Sequence, residues 1–136
     1  MTQENLELAR RVYEVLTDGV NEPTFHALVD EGLVDPEAEL DLSTAYPDGP
    51  LVRLATLSEF LDGQPWGRSA RLEPESFRAV GSDRVLVFLR LRGTGSGSGV
   101  EVEGRLAHLV TLRDRRVLRV ESYTDLDKAL EAAGLR

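Results

Sequence analysis

The sequence contains no cysteine, so disulfides, thiol catalysis and thiolate metal sites are excluded. It has only two histidines, His26 and His108, far apart and without a ligand spacing such as H-E-x-x-H, and no metal is implied. Positive charge is in deficit: 16 Lys and Arg stand against 24 Asp and Glu, a net charge of -8. That balance argues against a nucleic-acid backbone or an anionic membrane surface as partner, and the acidic excess reads as a solvated surface. No apolar run approaches a membrane span, and the N-terminus opens with polar residues and a helix rather than a charged-then-apolar signal. A cytoplasmic location is the default expectation. The glycine-serine run Gly93 to Gly99 lacks G-K-[ST] and spaces its glycines two apart, so it reads as a flexible hairpin connection and not as a phosphate loop. Nothing implies a cofactor.

What remains is an ordinary globular composition, 41% apolar and 29% charged over 136 residues, which suits a single domain spanning 1–136 with a real core. Thr2 can cap a first helix of about sixteen residues, with Leu6, Ala9, Val12, Tyr13 and Leu16 at helical spacing and Gly19 as a stop. A second helix starts at Pro23 and ends at Gly32. Glu37 to Leu42 alternates as a short strand, and Tyr46 to Pro50 is turn chemistry. Thr56 with Glu59 forms a capping box for a short third helix stopped by Gly63.

From Ala70 the chain is mostly strand. Arg71 to Val80 carries Pro74, which predicts an edge or a bulge. Val85 to Arg92 is apolar on both faces at its start and should be covered on two sides. Arg113 to Arg116 is a tight reversal, Val117 to Tyr123 the last strand, and Asp125 can cap a closing helix that ends near Gly134. This order excludes a parallel doubly wound sheet. It predicts an α+β fold: a curved antiparallel sheet with helices on its concave side, enclosing a pocket.

The longest strand, Val100 to Leu112, organises the rest. Val100, Val102, Gly104, Leu106, Val110 and Leu112 form its inward row, and His108 interrupts that row. An inward imidazole is either a satisfied core group or part of a site. As a site residue it accepts a proton near neutral pH or donates a hydrogen bond to a carbonyl, which makes it the candidate catalytic group. Tyr13, Leu42, Trp66, Phe88, Leu106, Val110, Val120 and Ser122 are the candidate ligand-binding residues, with Trp66 either a lid or a core plug and Tyr13 either a pocket group or a core aromatic with its hydroxyl at the rim. Arg90 either meets an anionic ligand or pairs with Glu101 or Glu103 across the hairpin, while Arg105, Arg119 and Glu121 read as an outer-face charge set.

The stretches Arg11-Val-Tyr-Glu-Val-Leu-Thr-Asp-Gly19, Asp35-Pro-Glu-Ala-Glu-Leu40, Ser58-Glu-Phe-Leu61, Gly104-Arg-Leu-Ala-His-Leu-Val-Thr-Leu-Arg-Asp114 and Val117-Leu-Arg-Val-Glu-Ser-Tyr123, in this order, resemble the nuclear transport factor 2-like superfamily. Within it they are similar to the SnoaL-like branch, which includes polyketide cyclases and relatives of ketosteroid isomerase. The resemblance implies a cone-shaped, cystatin-like α+β barrel around an apolar pocket, and a homodimer formed through the outer sheet face. It does not fix function, because the superfamily holds isomerases, dehydratases, epoxide hydrolases, cyclases and non-catalytic binders. Ketosteroid isomerase uses a carboxylate base with a tyrosine and a protonated acid as oxyanion donors. Carried over by position, the base falls at Leu42 with Asp41 beside it on the opposite face, the tyrosine at Val12 one residue before Tyr13, and the second acid at His108. The aspartate of the polyketide cyclases falls near Ser122. The expectation is a pocket protein that binds an apolar metabolite. The alternative is an isomerase, cyclase or hydrolase acting on a small cyclic or polyketide-like substrate with His108 as acid–base group, and an interaction module working through the outer sheet face is a third reading.

Overall fold

Residues 2–17, 22–42, 51–53, 71–94 and 101–135 of the computed structural model are described here. The Gly19 stop, the Tyr46–Pro50 turn, the helix from Thr56 to Leu61, Trp66, the Gly95–Gly99 part of the connection and the capping side chain of Thr2 lie outside the described residues. The described elements are α1 (Thr2–Leu16), α2 (Glu22–Asp30), β1 (Val34–Asp41), β2 (Leu51–Arg53), β3 (Arg71–Val80), β4 (Arg84–Thr94), β5 (Glu101–Arg113), β6 (Arg116–Tyr123) and α3 (Leu126–Ala132).

The six strands form one curved, unclosed sheet in the order β2-β1-β6-β5-β4-β3. β3 to β6 are successive antiparallel neighbours, as hairpin connections require. β1 pairs antiparallel with β2 but parallel with β6, so the sheet is mixed rather than wholly antiparallel. A hairpin dictates antiparallel pairing only between strands adjacent in sequence. β1 and β6 are separated by most of the chain, and that constraint does not reach them.

Two local signals act as their chemistry requires. Pro74 sits on the edge strand β3, and the register with β4 shifts between Pro74 and Ser76, so both a bulge and an edge accommodate the missing N–H. The β5–β6 reversal places Asp114 at φ 53° and Arg115 at φ 64° between the paired Arg113 and Arg116, a two-residue turn of the mirror-image type that suits strand twist.

The sheet is buried on both faces. On one, α1 and α2 pack Ala9, Val12, Tyr13 and Leu28 against Leu40, Leu42, Val85, Val87, Leu89, Val110, Leu112, Val117 and Val120. On the other, α3 lays Ala129, Ala133, Leu126 and Leu130 over Leu86, Ala107, Leu109 and Tyr123. Asp125 caps α3 by accepting from the backbone N–H of Asp127 and Lys128. Not every helix is therefore on the concave side: β6 delivers the chain at Tyr123, an outward residue, and the apolar face of α3 closes on the nearest apolar surface. This also explains the two covered faces of β4, since Val85 and Leu86 are both fully buried within one chain. Ala107 and Leu109, on the outer sheet face through which the resemblance implies a homodimer, are covered by the chain's own helix. Charged residues dominate the exposed strand ends, where Arg90 Nη1 donates to Glu103 Oε1 at 2.9 Å, the pairing that strand neighbours favour.

Leu109→Ala should lower the unfolding free energy by about 2–5 kcal/mol, because it opens a cavity between β5 and α3. Urea unfolding followed by circular dichroism measures it, and a loss well under about 1 kcal/mol would mean that α3 does not seal this face.

Candidate functional site

The site begins with helical spacing. Asn5, Ala9, Val12 and Tyr13 are buried along α1, which seats the Tyr13 ring over the sheet. There it makes an edge contact with Phe77 of β3, ring centroids 6.1 Å apart, and a tilted contact with His108 of β5 at 5.8 Å. Strand alternation directs His108 to the same side as Leu106 and Val110. In register, it lies between Val87 of β4 and Ser122 of β6. The Tyr13 hydroxyl and His108 Nδ1 are 2.7 Å apart, a buried hydrogen bond joining residues 95 positions apart in the chain. Nδ1 carries the hydrogen bond of this ring; among the described residues Nε2 has no partner.

Burial sets the charge state of both groups. Desolvation lowers the His108 pKa to about 4, so the imidazole is neutral at physiological pH. Desolvation also raises the Tyr13 pKa well above its ordinary value, so the phenol keeps its proton. The pair is a neutral hydrogen-bonding unit in apolar surroundings. Besides Tyr13 and Tyr123, the buried polar residues among those described are Asn5, His108 and Ser122, and the Asn5 amide donates to the Ser82 carbonyl at 2.9 Å.

Leu42, Leu106, Val110 and Val120 lie on the same face as His108, in the cluster packed beneath α1. Ser122 is buried opposite His108 on β6. Tyr13 reaches inward and its hydroxyl is bound to His108, not placed at a rim. Phe88 is a correction: it neighbours Ala107 across β4–β5 and packs in the α3 cluster, on the opposite face from His108, because it alternates with Val87 and Leu89. Trp66 is outside the described residues. Sequence reasoning did not pair the imidazole with Tyr13. The available signal was that Tyr13 shares the buried stripe of α1 with Ala9.

Asp41, beside Leu42, faces away and accepts from Arg119 Nη2 at 2.6 Å, with Glu121 next to it on β6 and the Tyr123 hydroxyl donating to Glu121 at 2.9 Å. Two open clefts of about 270 and about 500 Å³ lie by Glu4 and Arg115, and neither is lined by His108. Among the described residues no group of three or more His, Cys, Asp and Glu is placed to hold a metal. No described helix is long and apolar enough to cross a membrane.

Solved structures share this fold over nearly their whole length. One neighbour is a nuclear transport factor 2-like protein of unknown function from Burkholderia pseudomallei, 18% identical, covering 94% of this chain and 95% of its own, with a TM-score of 0.62. This chain has the nuclear transport factor 2-like fold. A putative SnoaL-like polyketide cyclase from Jannaschia sp. shares that fold at 20% identity, covering 100% of this chain and 95% of its own with a TM-score of 0.66. So does TerC, co-crystallised with polyporic acid, at 25% identity, with 96% and 98% of the two chains covered and a TM-score of 0.66. No family model matches the chain, and no curated protein matches it significantly. In this nuclear transport factor 2-like frame, the position that resemblance gave to a tyrosine is the buried Val12, and the hydroxyl comes from Tyr13, the next residue on the same broad helix face.

Linkage follows from the His108 environment. An imidazole whose pKa falls from 6.5 to about 4 on folding binds its proton better in the unfolded chain, so stability is intact above pH 6.5 and is lost as the pH falls toward 4. Between pH 7 and pH 5 this amounts to about 2 kcal/mol. Urea unfolding of the wild type and His108→Gln at both pH values should show that much extra acid sensitivity in the wild type alone. Equal sensitivity would mean that the ring is not desolvated in the folded state.

Proposed function

We propose that this protein binds a small, largely apolar molecule against the inner face of β5, with the Tyr13–His108 pair as its polar anchor, and that it does so without using His108 for proton transfer. The observation that carries this reading is the 2.7 Å bond between two buried, neutral groups. An imidazole with a pKa near 4 is a weak base at pH 7, far from the match that acid–base catalysis favours. The carboxylate that isomerase chemistry would require stands in the chain as Leu42, and Asp41 is engaged by Arg119 on the other face. The surrounding side chains Leu106, Val110 and Val120 suit an apolar ligand body. A structural neighbour co-crystallised with polyporic acid and another described as a putative SnoaL-like polyketide cyclase support a cyclic or polyketide-like ligand over an interaction module.

Ligand extraction from the purified protein with mass spectrometry identifies the occupant, and calorimetry then measures its affinity. The expected result is an apolar small molecule whose affinity is flat within about twofold from pH 5.5 to 8, because His108 stays neutral throughout. His108→Gln, which keeps a hydrogen-bonding group, should retain binding, and His108→Leu should weaken it by about tenfold or more. Turnover or affinity that follows one ionisation near pH 6.5 would restore the acid–base reading. Indifference to His108→Leu would remove the anchor.

A further inference from the structure

We propose that Tyr13 locks His108 in its Nε2–H tautomer, so that the site selects ligands by a proton-free oxygen, the ketone carbonyl of an otherwise apolar molecule. This rests on the ligand-binding reading above and names the chemistry that the site prefers.

The tautomer follows from counting protons. The phenol and the neutral imidazole together carry two polar hydrogens, and one contact at 2.7 Å links them. If Nδ1–H donated to the phenol oxygen, the Tyr13 O–H and the bare Nε2 would both be left without partners among the described residues. If the Tyr13 O–H donates to a bare Nδ1, the phenol proton and the Nδ1 lone pair are both satisfied, and Nε2–H alone remains. Buried polar groups are overwhelmingly paired, so the arrangement with a single unmet group is the one adopted. Burial keeps the phenol protonated and therefore able to donate.

The remaining group is then a donor with a fixed direction. By the geometry of the five-membered ring, Nε2–H projects away from the Tyr13 hydroxyl. His108 is 7% exposed; Leu106, Val110 and Val87 beside it offer no acceptor side chain, and no hydrogen bond among the described residues joins its Nε2 to the Ser122 hydroxyl opposite it on β6. A carbonyl oxygen completes such a donor and brings no hydrogen of its own. An alcohol of the same shape also accepts, but its O–H must then be buried unpaired. A hydrocarbon leaves Nε2–H unmet. Tyr13 is thus a positioning residue, since it sets the sense of the hydrogen bond that His108 offers without itself meeting the ligand.

Two measurements test this on the intact protein. Long-range proton–nitrogen correlation spectra of the ligand-free wild type should show His108 protonated at Nε2 with Nδ1 a bare acceptor. The opposite tautomer, or an even mixture, overturns the proposal whatever binds. Affinities for fluorenone, fluorenol and fluorene, which share one framework, then test the selection. Fluorenone should bind at least tenfold more tightly than the other two and shift the Nε2–H signal. Equal affinities with that signal unmoved overturn the carbonyl preference and leave the apolar-ligand reading standing; no binding of any of the three overturns both. Tyr13→Phe, which keeps the ring, should release His108 into a tautomer mixture and shrink the ketone preference to within about threefold. An unchanged tautomer and preference in that variant would remove Tyr13 from the role.

Discussion

The bond between Tyr13 and His108 ties the first helix to the central strand, and the polar chemistry of the inner face depends on it. Each partner would be a liability alone. A buried hydroxyl or imidazole without a partner costs about 1–3 kcal/mol. Together they meet at 2.7 Å across 95 residues and remove most of that cost. The contact also sets the depth at which α1 sits. Tyr13 touches Phe77 on β3 and His108 on β5, so it bridges the strand between them, whose Val85, Val87 and Leu89 are fully buried. A shift of the helix along its axis would break the hydrogen bond before it exposed much apolar area. Dispersion and burial make the face adhere, while the hydrogen bond determines its registry.

Helix placement on the two faces divides the labour of the sheet. α1 and α2 cover the side that carries His108, and α3 covers the opposite side through Leu126, Ala129, Leu130 and Ala133. The α3 side is all apolar packing, with Leu86 and Leu109 sealed and Tyr123 reaching sideways to Glu121. That face holds β4 and β5 rigid from behind. A side chain on β5 such as His108 is then fixed from both sides, by the packed strand behind it and by its hydrogen bond to Tyr13 in front.

Much of this was legible in the strand periodicities. Alternation along β5 placed His108 inward among Leu106 and Val110, and the same rule placed Asp41 on the far side, where Arg119 holds it. Pro74 announced the bulged edge. Other features were not legible, each for a definite physical reason. The parallel pairing of β1 with β6 joins segments far apart in sequence, and periodicity carries no information on direction. The seat of α3 depends on which face of the sheet lacks cover, a property of the assembled sheet and not of Leu126 to Ala132 alone. Phe88 was misassigned because β4 is apolar on both faces, so its row could not be told from that of Val87 and Leu89. The partner of His108 was missed because a hydrogen bond between Tyr13 and His108 depends on helix-to-strand docking, which neither local pattern contains.

Electrostatics separates binding from proton transfer in such a fold. A catalytic imidazole near neutral pH needs a charge or a wet surface to hold its pKa there, commonly a carboxylate within hydrogen-bond reach. At this position the neighbours are Val87, Ser122 and Tyr13, and none of them carries a charge. The carboxylate beside the position that the resemblance gives to the base, Asp41, would have to abandon Arg119 and reverse its side of β1, which strand alternation forbids without a register slip that would turn Leu40 and Leu42 out of the core. One residue of parity thus removes the base. What is left is a neutral donor in apolar surroundings, whose hydrogen bond gains strength from the same low dielectric that lowers the His108 pKa. The same parity that takes Asp41 to the far face leaves the Tyr13–His108 pair uncharged on the inner one.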